Sequence, residues 1–189
     1  IILMEEIEFI FESTTEAMDS SIEHLGNELK KISTGKATPV MLEGIRVEAY
    51  GAQSPLNQVA NVNATDSTTL AIKPWDKSMI PAIERAIFEA NLGVTPQNDG
   101  EVVRITIPPL TQERRKELVK RAKSLGEDTK VSLRNARRDA MDGIKSAVKD
   151  GYPEDQGKRK EQEIEDMTKS YYSKSDKLVE AKQKDIMTI

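Results

Sequence analysis

The stretch that decides the fold is PPLTQERRKELVKRAKSLGEDTKVSLRNARRDAMDGIKSAVKD, Pro108 to Asp150. It opens on a proline pair that stiffens the chain and then on Thr111, a helix N-cap with Glu113 in the first turn to favour the helix dipole. Leu118, Ala122, Leu125, Thr129, Leu133, Ala136, Ala140, Ile144 and Ala147 then recur at helical spacing and predict one core-facing stripe. A helix of that span is roughly 55 Å long at 1.5 Å per residue. The stretch carries twelve Lys/Arg against seven Asp/Glu in a chain whose net charge is −4. The field is therefore local, and it points to a polyanion met by one face of one helix.

Outward from this helix the pattern repeats. On the N-terminal side Phe11, Thr15, Met18, Ile22, Leu25, Leu29 and Ile32 step by three and four, a heptad seam over about Glu6 to Ile32 that Gly35 ends. That segment is acidic, with two Lys against eight Asp/Glu up to Thr34. On the C-terminal side Asp150-Gly151-Tyr152-Pro153 reads as a stop and a restart. A third helix follows through Ile164, Met167, Tyr171, Leu178, Ala181 and Ile186.

Between the first two helices the period changes. Ile45, Val47 and Ala49 alternate with polar neighbours, as do Leu70 with Ile72 and Val103 with Ile105 and Ile107, which is strand periodicity. Turn signals fall at Gly51–Pro55, Ala64–Ser67 and Asn98-Asp99-Gly100, and one short helix places Met79, Ile83, Ala86, Ile87 and Ala90 on one side. The expected fold class is α+β: residues 1–34 plus 109–189 form a long three-helix bundle, and 35–108 form a small inserted β/α/β domain. The insertion is tethered twice, which makes Thr34, Gly35, Pro108 and Pro109 the candidate hinge.

Composition narrows the chemistry. With no cysteine, disulfides and thiolate chemistry are excluded, and the lone His24 has no ligand partner at metal spacing. No Gly-rich phosphate loop is present, and the carboxylates lie along solvated helix faces, so neither an enzyme nor a cofactor is expected. Acids stand where a secretory leader needs bases, and no run approaches the ~18 apolar residues of a membrane span, so a cytoplasmic protein is expected. Met4 is a candidate start. Trp75 is read as a partial core or rim residue of the small domain.

On a helical wheel Arg138 points nearly opposite the core stripe, Arg134 lies beside Arg138, and Arg137 sits on the stripe's shoulder, where its stem packs and its guanidinium is directed. A planar guanidinium gives two hydrogen bonds to a phosphate and stacks on bases, so these arginines predict RNA binding. The competing reading is a solvated face neutralised by Asp139, Asp142 or the acids of the first helix. At the level of whole-protein function, the alternative is a helical adaptor that binds protein through its seam.

Four motifs carry a resemblance along the chain from Met4 to the C-terminus. They are Ser33-Thr34-Gly35-Lys36-Ala37, Asp76-Lys77-Ser78-Met79, Pro108-Pro109-Leu110-Thr111-Gln112-Glu113-Arg114-Arg115-Lys116 and Arg134-Asn135-Ala136-Arg137-Arg138-Asp139-Ala140. Together they resemble bacterial ribosome recycling factor. The resemblance implies an L-shaped monomer, tRNA-like in outline, that binds large-subunit rRNA of the ribosome and neither DNA nor membrane. It implies action with elongation factor G, whose GTP hydrolysis drives subunit separation. It also implies that Arg115, Arg134, Arg137 and Arg138 are the rRNA-binding residues. Ser33 and Lys36 stand where members commonly carry arginine, and Ala49 stands where an aromatic often precedes Tyr50.

Overall fold

Amphipathic helices need partners for their apolar stripes, and three of them supply one another's here. A computed structural model describes residues 2–189. The chain forms two compact units, one of the chain up to Ile32 together with Lys116–Ile189, and one of Ser33–Arg115. In the first unit α1 (Ile2–Lys30) packs with the body of α4 (Gln112–Lys149) and with α5 (Glu154–Met187). Ile7 of α1, Ala140, Ile144 and Ala147 of α4, and Ile164 of α5 make one buried cluster, which Tyr152 joins from the α4–α5 turn. Met18, Leu133 and Tyr171 make a second. The α4–α5 reversal is tight: Gly151 takes φ +115°, and the Tyr152 amide donates to the Ala147 carbonyl at 2.9 Å.

Of the stripe expected on α4, Leu118, Ala122, Thr129, Leu133, Ala140, Ile144 and Ala147 are buried, and Leu125 and Ala136 are half-buried. On α5 the seam departs from expectation after Tyr171. It runs through Ser175 and Val179, both buried, and rejoins the expected seam at buried Ile186, while Leu178 is 36% exposed and Ala181 faces solvent. A Cβ on Gly126 of α4 would lie 2.7 Å from Val179 Cγ2, so the glycine lets that part of α5 approach closely.

Ser175 is fully buried, and its hydroxyl is the sole buried side-chain polar atom without a hydrogen-bond partner among the described residues. An unmet buried hydroxyl costs free energy, and alanine is the better helix former. Ser175→Ala is therefore expected to stabilise the bundle by about 1 kcal/mol, raising Tm by about 2–4 °C in a thermal melt.

Tyr171, 7% exposed, donates its hydroxyl to the Asp19 carboxylate. Burial first, and then that hydrogen bond and the Asp19 charge, push its pKa up to about 12. The fold thus holds a proton that the unfolded chain releases near pH 10. Its contribution is complete below pH 10 and is lost as pH climbs from there to about 12. Urea midpoints should fall more steeply across that window in the parent than in Tyr171→Phe.

The second unit is built on strands. β1 (Arg46–Ala49) and β2 (Ala52–Pro55) form a hairpin, followed by the single turn α2 (Leu56–Val59). β3 (Ala60–Ala64), β4 (Thr69–Pro74), β5 (Gln97–Asn98) and β6 (Val103–Thr106) form an antiparallel sheet in the order β3-β4-β6-β5. Leu70 pairs with Ile105 and Ile72 with Val103, so the apolar residues of β4 and β6 meet on one face. Ile80, Ile83 and Ile87 of α3 (Ile80–Glu89) join them in one cluster with Val47 of β1. The first turn is Tyr50-Gly51, both at positive φ (51° and 81°), and residues 52–55 are strand where a turn was expected. Tyr50's hydroxyl donates to Asp76 Oδ2 at 3.0 Å, which ties the hairpin tip to the loop before α3. Trp75 is 69% exposed, and is neither core nor well-covered rim.

Candidate nucleic-acid interface

The middle of α4 carries the cations. Arg134 and Arg138 are exposed, and Arg138 Nη2 donates to Asn135 Oδ1 at 3.1 Å, a bond within one turn of the same helix. Arg137 sits one third exposed on the side facing α5. Its Nε donates to Glu165 Oε1 at 2.8 Å, and Nη2 reaches the same oxygen. The Glu165 bond raises the Arg137 pKa above its ordinary value. One heptad earlier on α4, Lys130 pairs with Asp176 of α5 at 2.8 Å. Among the described residues, the acid nearest each of these two cations lies on α5. Seven residues on an α-helix is almost two turns, so the two ion pairs lie on one edge of the α4–α5 seam.

Arg115 is placed differently, in the first turn of α4 and well before Arg134. It is 7% exposed, and its Nε donates to the Leu110 carbonyl at 3.4 Å. In this position the guanidinium braces the turn that leads into α4. Thr111 caps that helix as expected: its hydroxyl oxygen accepts from the Arg114 amide at 3.1 Å. The burial of Arg115 has no signature in the sequence, where it stands among exposed charges of the same type.

The four tether residues all fall inside the second unit. Gly35 takes φ +73°, and a Cβ there would lie 3.0 Å from Leu110 Cγ, so the two chain passages meet at this glycine. Thr34 is half-buried, whereas Pro108 and Pro109 are exposed. Ser33's hydroxyl accepts from the Gly35 amide at 3.3 Å and closes the turn that starts the second unit. His24 is exposed beside a groove lined also by Leu25, Leu125, Asp128 and Thr129. Among the described residues no group of His, Cys, Asp or Glu is placed to hold a metal ion, and no helix is long and apolar enough to cross a membrane.

Known proteins match this chain along its whole length. The family model for ribosome recycling factor matches residues 25–187. The ribosome-recycling factor of Flavobacterium johnsoniae is 46% identical over 187 residues, covering 99% of this chain and 100% of the relative. That of Phocaeicola vulgatus is 49% identical over 174 residues, covering 92% and 94%. A solution structure of ribosome recycling factor superposes with a TM-score of 0.85 at 36% identity, covering 97% of this chain and 98% of the other. A structure of T. thermophilus ribosome recycling factor and E. coli elongation factor G bound to the E. coli post-termination complex gives a TM-score of 0.66 at 40% identity, covering 96% and 99%. The chain belongs to the ribosome recycling factor family, whose members are non-enzymatic translation factors.

Proposed function

We propose that this protein recycles the ribosome after termination by acting with elongation factor G and GTP, splitting the post-termination complex so that its parts can initiate again. The observation that carries this reading is the full-length relationship to ribosome-recycling factors, together with a 40% identical neighbour described on the post-termination complex with elongation factor G. The chain itself hydrolyses nothing; the GTP chemistry belongs to the partner. It works as a monomer in the cytoplasm.

The arginine ridge of α4 docks on large-subunit rRNA. Arg134 and Arg138 supply exposed donors to phosphate, and Arg137 supplies a donor already aimed by Glu165. Arg115 serves the site indirectly, by holding the Leu110 turn from which α4 starts. The passages at Thr34-Gly35 and Pro108-Pro109 act as the hinge of the inserted domain. What supports this is the left-handed Gly35 on one passage and the φ-locked proline pair on the other.

Docking on phosphates releases counterions, so affinity must depend on salt. Three phosphate contacts predict a log–log slope of about −2 to −3, which co-sedimentation with ribosomes between about 50 and 200 mM salt measures. A flat profile would remove the ridge from the interface.

A further inference from the structure

The pairing of Arg137 with Glu165 is odd for a phosphate site. A carboxylate beside a polyanion repels it, and an ion pair this exposed adds little stability. Its geometry suggests another use. Nε and Nη2 form the side-on edge of the guanidinium, and both are engaged by a single carboxylate oxygen, Glu165 Oε1. A guanidinium has five N–H donors in a rigid plane. The end-on edge, made by Nη1 and the outer N–H of Nη2, therefore remains for a second acceptor, and no described residue occupies it.

The neighbouring arginines lack this bracing. Arg138 is held within its own helix turn through Asn135, and Arg134 is exposed without a side-chain partner among the described residues. Of the three, Arg137 is anchored across helices, by a residue 28 positions away on α5.

We propose that Glu165 is a positioning residue: it grips the side-on edge of Arg137 so that the end-on edge meets one phosphate in one direction. The carboxylate lowers affinity for RNA in general and raises it for RNA whose backbone matches that direction. Selectivity for a structured site over bulk RNA follows from the same contact. The inference rests on the reading that the α4 ridge meets rRNA.

The test compares the parent, Glu165→Gln and Arg137→Lys for binding to intact ribosomes and to a short RNA duplex of arbitrary sequence, with helix content followed by circular dichroism. Glu165→Gln keeps the size and one acceptor but releases the charge grip. It is expected to weaken ribosome binding by about three- to tenfold, the ordering cost of one long side chain. Binding to the arbitrary duplex should strengthen instead, because one repelling charge is gone. Arg137→Lys keeps the charge without the fork, and should weaken ribosome binding while leaving duplex binding unchanged.

If both affinities rise in Glu165→Gln, the carboxylate is merely repulsive; if both fall or neither moves, it is structural or idle. Any of these overturns the inference. An Arg137→Lys that binds ribosomes like the parent likewise overturns the inference, whereas a parent that binds no ribosomes overturns the underlying reading instead. Should the Gln variant lose helix content, Glu165→Asp carries the test. It keeps the charge but shortens the grip, so ribosome affinity should fall with duplex affinity unchanged; equal ribosome affinity would contradict the proposal.

Discussion

Ile144→Ala is expected to lower the stability of the helical bundle by about 2–5 kcal/mol. Ile144 is fully buried among Ile7, Ala140, Ala147, Tyr152 and Ile164, contributed by three helices and the turn between two of them. Removing its outer carbons loses their transfer energy and leaves a cavity that long, mutually braced helices cannot easily close. The neighbourhood is tight already: a Cβ on Gly157 would lie 3.9 Å from Ile144 Cγ2 and 2.5 Å from Val148 Cγ2. Urea unfolding followed by circular dichroism should show a lower midpoint with an unchanged m value. Lys145→Ala, one residue away on the exposed side, should stay within about 0.5 kcal/mol of the parent. A loss below about 1 kcal/mol for Ile144→Ala would mean that the three helices do not share this core.

Arg137→Ala is expected to weaken ribosome binding by about 1–3 kcal/mol, or roughly 5- to 150-fold, the scale of one charge-assisted hydrogen-bonding group. The effect should fall in the upper half of that range, because two losses combine. On the proposed docking, the phosphate donor disappears, and Glu165 is left without its cation beside a polyanion. Folding should be barely affected, since the pair is one third exposed and such pairs contribute about 0–1 kcal/mol. Binding at fixed salt, with circular dichroism as the control, separates these effects. Equal affinity of mutant and parent would remove Arg137 from the interface.

Much of this architecture was legible because helical and strand periods differ. The α4 stripe from Leu118 to Ala147 could be read directly, as could the alternations at Val47, Ile72 and Ile105, each of which is fully buried. The seam of α5 between Tyr171 and Ile186 was misread because Ser175, a small polar residue, occupies a core position while the larger Leu178 does not. Close approach to Gly126 is what admits Val179 there, and a glycine on another helix is invisible to periodicity. Strand β3 escaped notice because its side chains are mostly outside: of Ala60–Ala64 Ala60 alone is buried, and two of the five are asparagine.

The arginine cluster was legible in a different degree. Spacing put Arg137 on the shoulder of the core stripe, and the α4–α5 seam is where it sits. Its partner was not readable, since Glu165 is one acid among many on α5, selected by the pairing of two helices. The bond from Arg115 to the Leu110 carbonyl depends likewise on the path of the preceding chain, and no local pattern records that.

The central claim is that this chain splits spent ribosomes together with elongation factor G, and polysome breakdown on puromycin-treated ribosomes tests it most directly. Parent protein and Arg137→Ala are each added with and without elongation factor G and GTP, and polysomes are resolved by sedimentation. Breakdown that needs both factors and is lost in Arg137→Ala is the predicted result. Intact polysomes with a folded parent and active elongation factor G would contradict the account, and would leave a helical adaptor as the reading to pursue.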